Sequence, residues 1–239
     1  MKHYKAIVIG ATGGVGAYLV EKLVVSDLCS KVTVISRKEC PKAPKLNNII
    51  WDDFSEYLLK EKDENVEVLK NHNVLFCCLG APEKALLGLF FNKRKYATMF
   101  QKVDYDYVVG AAHLAKKAGI AHFSVISSPS AKQNAKFIYS KIKWNMEQTI
   151  QAIGFENISI FHPYHLMKPA KNQVTLFNSI TKKFISFIAS IMPAKQRAIK
   201  VEDVATAMML EFESRAEKGD GITYCTSDDM REIIKSSTI

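Results

Sequence analysis

Tyr139 and Lys143 stand four residues apart, a spacing that puts a phenol and an ammonium on one face of a helix. A tyrosine with an ordinary pKa of about 10 needs help to exchange a proton with a substrate oxygen at neutral pH, and a nearby ammonium supplies it by favouring the phenolate. The spacing alone carries little weight, because nine tyrosines in a lysine-rich chain should give about one such pair by chance. Three occur: Tyr18 with Lys22, Tyr139 with Lys143, and Tyr164 with Lys168. Only the middle pair opens a predicted helix that follows a predicted strand ending in two hydroxyls, Ser127 and Ser128. Ser128 stands nearer the open end of that strand and is the candidate to align a carbonyl oxygen, while Ser127 can face the sheet. Ser128, Tyr139 and Lys143 together suit general acid–base chemistry at a carbonyl, provided another group carries the electrons.

Near the start of the chain, Gly10, Gly13, Gly14 and Gly16 lie in Ile9-Gly10-Ala11-Thr12-Gly13-Gly14-Val15-Gly16, after a predicted strand and opening a predicted helix. Without a Cβ the backbone can turn tightly and let a pyrophosphate reach the unpaired N–H groups at the helix start. The spacing is GxxGxxG, so the turn should be one residue longer than in the GxGxxG fingerprint. A glycine-rich turn without a ligand is the bland alternative; the strand before and the helix after argue against it. No GxxxxGK[ST] string occurs, which excludes a lysine-and-serine phosphate loop and favours a dinucleotide. Arg37 follows the second predicted strand about twenty residues after Gly16, where an acid would meet the ribose of NAD or an arginine the 2′-phosphate of NADP. Its guanidinium favours NADPH, Glu39 keeps NADH open, and the alternative for Arg37 and Lys38 is a solvated loop.

These groups need a scaffold, and the chain alternates β-branched runs with longer amphipathic stretches. Strands are predicted at Lys5 to Ile9, Lys31 to Ser36, Val74 to Leu79, His122 to Ser127 and Asn157 to Phe161. Helices are predicted at Gly14 to Val25, Asp104 to Lys117, with Gly119 as its stop, and Phe137 to Ile153. Asp52 to Leu59 reads as a short helix or a loop, and Ala81 to Gln101 has mixed signals. After Pro163 come a basic amphipathic stretch from Val174 to Met192, a helix near Glu202 to Glu213, a strand at Ile222 to Cys225 and a last helix capped near Ser227. The pattern predicts an α/β fold: a Rossmann-type, doubly wound parallel sheet with helices on both faces. Residues 1–239 form one domain in this reading, with 164–239 as a small substrate-side lobe.

Composition narrows the class further. With 48% hydrophobic and 24% charged residues, the chain is neither disordered nor fibrous. Its longest strongly apolar stretch, Phe184 to Met192, is too short to span a bilayer as a helix, so no transmembrane segment is expected. The apolar run Ala6 to Ala11 imitates a signal peptide but is too short and ends in the glycines. Five cysteines cannot all pair and none shows a CxxC spacing, which reads as reduced, intracellular thiols and no metal site. Cys77 and Cys78 fit small buried hydrophobes better than a redox pair. The net charge of +9 attracts phosphates, nucleic acid or anionic membranes, yet the scattered lysines and scarce arginine favour a solvated basic surface over specific nucleic-acid binding. Lys182, Lys183, Lys195, Arg197 and Lys200 allow a membrane or nucleic-acid contact; Phe177, Ile180, Phe184 and Phe187 fit the roof of a substrate cavity, which is preferred.

Gly10 to Gly16, Arg37, Leu79-Gly80, Ser127-Ser128 and Tyr139 to Lys143 resemble the short-chain dehydrogenase/reductase family. Phe76 to Gly80, Val103 to Val108 and His122-Phe123 resemble its atypical branch, that of the Tat-interacting oxidoreductase, over about Lys5 to Leu166, with an echo at Val201 to Ala205. The resemblance implies an NADPH-dependent reductase of an unidentified carbonyl-like small molecule. Thr12, Gly13, Gly14 and Val15 would hold the phosphates and Arg37 and Lys38 the 2′-phosphate; Leu79 and Gly80 would pass beneath the cofactor. Leu166 would lie by the nicotinamide, with Tyr139 and Lys143 also touching the cofactor. Asp104 stands where many relatives have a proton-relaying asparagine; His162-Pro163-Tyr164 replaces their Arg-Pro-Gly, and Trp144 replaces the glycine after the motif lysine. His162 reads as a structural hydrogen-bonder. The resemblance also implies a homodimer, a cytoplasmic and also nuclear location, and, as an alternative function, NADPH-linked regulation through protein partners.

Overall fold

Strand β1 (Tyr4–Ile9) sends Ala6 and Val8 to one face and Ile7 and Ile9 to the other, and all four are fully buried. A strand apolar on both sides belongs inside a layer covered on both faces. It pairs in parallel with β2 (Cys29–Ser36) and with β4 (Val74–Cys77). With β3 (Leu46–Ile50), β5 (His122–Ile126), β6 (Asn157–His162) and β9 (Gly221–Thr226) it makes a seven-stranded parallel sheet, order β3-β2-β1-β4-β5-β6-β9. β7 (Leu166–Met167) and β8 (Ile199–Lys200) form a separate parallel pair. The computed structural model describes residues 3–60, 62–82, 84–167, 198–215 and 221–237.

Helices cover both faces, as expected for a doubly wound Rossmann-type sheet. On one side Leu19 and Leu23 of α1 (Gly14–Val25) pack with Val204, Met208 and Phe212 of the helix Val201–Arg215, α8 below. On the other, Leu58 of α2 (Phe54–Leu59) and Leu69 of α3 (Asp63–Leu69) join Val108, Ala111 and Ala112 of α6 (Tyr107–Lys117) and Met146 and Ile150 of α7 (Ile138–Ile153). The strand order reverses between β1 and β4, and a crevice opens beyond their carboxyl ends.

Several elements differ from expectation. The helix predicted from Asp104 begins at Tyr107, preceded by a π-helical turn, Gln101–Asp106. Residues with mixed signals form α4 (Lys84–Phe91) and α5 (Lys93–Phe100), and within the undecided Asp52 to Leu59 the helix runs Phe54–Leu59, capped by the Asp53 side chain, which accepts from Ser55 N at 2.8 Å. Strand β3 was not predicted, since Asn47 and Asn48 are poor strand formers. The last helix, α9 (Ser227–Ser236), is capped by Thr226, one residue before the expected Ser227, in a reciprocal box with Asp229. The basic stretch Val174 to Met192, and with it nearly half of the expected substrate-side lobe 164–239, lies outside the described residues.

A buried polar network joins α8 to the sheet. Ser159 donates to Glu211 Oε2 at 2.6 Å, so its oxygen accepts from His122 Nε2 at 2.8 Å, and Arg215 donates to Glu211 Oε1 at 3.3 Å. This Ser–His–Glu grouping is buried between α8 and the sheet. Burial, then the Arg215 charge, depresses His122 to about 3, and burial also lowers His72. Unfolded histidines titrate near about 6.5, so below that value the unfolded chain binds protons that the folded one does not, and stability falls as pH falls. Glu211, raised by burial against Ser159 and Arg215, acts in the opposite sense, one group against the two histidines. Urea titrations between about pH 7 and about pH 5.5 should show stability declining toward acid, approaching ~1.4 kcal/mol per pH unit per histidine. His122→Gln should remove one such contribution; an unaltered slope would contradict a buried neutral His122.

Candidate active site

The turn after β1 is shaped by contacts that only glycine permits. Gly10 has φ +88°, and a Cβ there would lie 2.7 Å from the Cys78 carbonyl carbon and oxygen, so this turn packs on the backbone at the end of β4. A Cβ on Gly16 would lie 2.3 Å from the Gly10 oxygen, which accepts from Gly13 N at 3.0 Å. Helix α1 begins at Gly14 with Gly13 as its N-cap and no side chain capping it. Its first N–H groups therefore face outward without an internal acceptor, as an anion site at a helix start requires. Thr12, Gly13 and Gly14 are exposed, whereas the Val15 side chain and Gly16 are buried, leaving only backbone at those two positions to meet a ligand.

A cleft of about 280 Å³ lies over this turn. It is lined by Gly10, Thr12 and Gly13, by Ser36 and Arg37 from the end of β2, and by Cys78, Leu79 and Gly80 beyond β4. Asp52, Asp53, Phe54, Val103 and Tyr107 also line it and were not among the candidate site residues; the Asp-Asp-Phe string before a short helix hinted at the first three, and Val103 and Tyr107 fall in the Val103 to Val108 motif. Of the predicted site residues, Gly14, Val15, Gly16, Lys38, Ser128, Tyr139, Lys143 and Leu166 are not part of its lining. Arg37 and Lys38 are both exposed, and the Lys38 carbonyl accepts from the Ser36 hydroxyl. The glycine cradle, the uncapped helix start and the exposed Arg37 fit a dinucleotide with its pyrophosphate on α1.

Tyr139 lies in the first turn of α7, half-buried, its ring edge-on to Phe100 of α5 at 5.1 Å. One turn further, Lys143 is buried and donates to Asp104 Oδ1 at 2.9 Å and to the Ile126 carbonyl at 3.2 Å. Asp104 comes from the π-helical turn, and its second oxygen accepts from Ala81 N at 3.0 Å. Burial pulls the Lys143 ammonium down, but Asp104 and Tyr139 together outweigh it and hold Lys143 above the ordinary lysine range. This cluster abuts the cleft at Gly80, where a Cβ would lie 3.5 Å from Asp104 Oδ1.

The two serines have separate surroundings. Ser127 is buried and donates to Glu147, whose Oε1 also contacts His162 Nε2 at 2.8 Å, so its single proton is committed. Ser128 is half-buried, 2.9 Å from the Ser130 hydroxyl, which accepts from Ser140 at 2.9 Å. His162 thus bonds a buried carboxylate, and Glu147, four residues after Lys143, is a buried participant that the sequence reading missed. The 139–143–147 spacing was the available signal.

Fold and cleft define an NAD(P)H-binding protein of oxidoreductase-type architecture. A family profile described as NAD(P)H-binding matches residues 10–209, and the chain belongs to that family. It is 29% identical to Protein HTATIP2 of Rattus norvegicus over 163 residues, 68% of this chain but only 63% of that protein. It is 26% identical to Protein FMP52-1, mitochondrial, of Scheffersomyces stipitis over 235 residues, 96% of this chain and 98% of that one. Among solved structures, MoeE5 in complex with UDP-glucose and NAD has TM-score 0.66 at 18% identity, covering 97% of this chain and 80% of that one. The oxidoreductase ylbE from Lactococcus lactis has TM-score 0.63 at 16% identity, covering 97% of each. Both share the Rossmann-like fold.

Several relatives are named mitochondrial, which overturns the expected cytoplasmic and nuclear location. Reduced thiols and scattered lysines describe solubility and redox state, and neither encodes an address. No helix among the described residues is long and apolar enough to cross a membrane.

The Gly16 contact makes the turn testable. Gly16→Ala must displace the Gly10 carbonyl, and calorimetric titration with NADPH should show affinity at least about tenfold weaker, or ~1.4 kcal/mol. Undiminished affinity would rule this turn out as the pyrophosphate cradle.

Proposed function

We propose that the protein is an NADPH-dependent oxidoreductase of the short-chain dehydrogenase/reductase type that reduces a carbonyl-like small molecule. The observation that carries this reading is the junction at Gly80, where the Tyr139–Lys143–Asp104 cluster meets the cleft floored by the glycine turn. When bound, the dinucleotide supplies the hydride. Gly10, Thr12, Gly13 and Gly14, with the backbone N–H of Val15 and the close packing that Gly16 permits, hold its phosphates; Arg37, with Lys38, takes the 2′-phosphate. Leu79 and Gly80 lie beneath it, and Leu166 stands toward the nicotinamide end.

Tyr139 donates the proton to the substrate oxygen, with the buried Lys143 ammonium one helical turn away on the same face. Ser128 orients the carbonyl, since the Ser127 hydroxyl is occupied by Glu147. The aromatic and aliphatic cluster of Phe100, Ile142 and Ala85, with Tyr139 packed on it, excludes water from one side of the phenol.

Two substitutions separate cofactor choice from chemistry. Arg37→Ala should abolish the preference for NADPH over NADH in paired binding titrations; an unchanged ratio would sink the 2′-phosphate assignment. Tyr139→Phe should lower turnover on a panel of aldehydes, ketones and quinones by about 10²–10⁴-fold while leaving NADPH affinity within about twofold. Full activity in that variant would defeat the proton-donor role.

A further inference from the structure

The helical run from α5 to α6 is interrupted by the six-residue π turn Gln101–Asp106, and Asp104 within it is 2% exposed. Such turns re-aim side chains inside helices and recur at functional sites. Both Asp104 oxygens are used, one by Lys143 Nζ at 2.9 Å and one by Ala81 N at 3.0 Å. Lys143 spends a second proton on the Ile126 carbonyl at 3.2 Å. The ammonium one helical turn from Tyr139 therefore has a carboxylate directly against it, and the two form a buried pair with no net charge. Among the described residues, Tyr96 of α5, Tyr105 of the π turn and Cys77 at the end of β4 are further titratable groups packed at this point. The Tyr105 hydroxyl is tied to Thr149 at 3.0 Å, and burial pushes the Cys77 thiol up to about 11.

We infer that Asp104 is a positioning residue that offsets the Lys143 charge at Tyr139, keeping Tyr139 a protonated phenol through neutral pH and biasing the site toward proton donation, hence reduction. The directional consequence rests on Tyr139 being the proton donor; the charge balance itself does not. In the absence of the carboxylate, Lys143 would act on the phenol unopposed and favour the phenolate, the form that accepts a proton in the oxidative direction.

The test uses the full chain without ligand, with tyrosines labelled by carbon-13 at Cζ, and follows phenol ionisation by NMR as pH is raised. Tyr139→Phe identifies the resonance. In the wild type Tyr139 should ionise at or above the ordinary tyrosine value of about 10. Asp104→Asn should lower its midpoint by about 1–3 units, Lys143→Gln should raise it, and the double variant should return it to within about one unit of the wild type. The asparagine oxygen can still accept from Ala81 N, so loss of that bond cannot produce the shift. Since a lone buried charge can prevent folding, the double variant, which has none, keeps the inference testable if a single variant fails to fold. An unmoved Tyr139 midpoint in folded Asp104→Asn, or a double variant shifted as far as Lys143→Gln, would overturn it. The titration needs no turnover, so a fully active Tyr139→Phe enzyme would remove the proton-donor reading and leave this charge balance standing.

Discussion

Burying an ammonium and a carboxylate costs several kcal/mol per ion unless geometry and further hydrogen bonds offset it, and removing one partner from such a pair costs about 3–5 kcal/mol. The Lys143–Asp104 contact meets both conditions, because the Ile126 carbonyl and the Ala81 N–H take up the remaining capacity. Four segments meet at this one contact: α7, the π turn before α6, the end of β5 and the chain leaving β4. None of them can shift without exposing an unpaired charge to an apolar interior. The position of the phenol relative to the cleft therefore depends on electrostatics at a residue that does not line it.

How far the sequence revealed this arrangement depends on whether the controlling interaction is local. The turn from Gly10 to Gly16 was readable because its requirement is steric and falls within seven residues: a glycine where φ is +88°, and another where the helix crosses the preceding carbonyl. Strand β1 and helix α1 were readable because the period of their apolar residues changes from alternation to helical spacing at that turn. The Tyr139–Lys143 pair was readable for the same reason, as a helical neighbour relation.

Non-local interactions account for what was missed. Strand β3 carries Asn47 and Asn48, and it is held by pairing with β2 and by Asn48 bonding both backbone groups of Cys40 at 3.1 Å. The π turn contains ordinary helix formers, so nothing in Gln101-Lys102-Val103-Asp104 announces a change of pitch; the pull of Lys143 on Asp104 comes from another helix. Asp104 attracted notice by its position, and its partner became visible only in three dimensions. The lining by Asp52, Asp53 and Tyr107 likewise follows from α2 and α6 packing beside the crevice. Subcellular address is a different case, since cysteine spacing and net charge are not specific to one compartment.

Helix α7 acts as a ruler across the carboxyl ends of the strands. Tyr139, Lys143 and Glu147 recur every four residues along one stripe, and the last two are anchored to different strands. Lys143 reaches Ile126 at the end of β5, while Glu147 holds Ser127 just beyond it and His162 at the end of β6. Two buried polar anchors one turn apart fix both the rotation and the height of the helix, and a slip of one residue would leave both unpaired. Tyr139, one turn before the first anchor, is carried by the same helix, and its ring packs edge-on against Phe100. His162 belongs to the same logic: its ring nitrogen reaches a carboxylate that also binds Ser127, so it is part of the anchor of the helix.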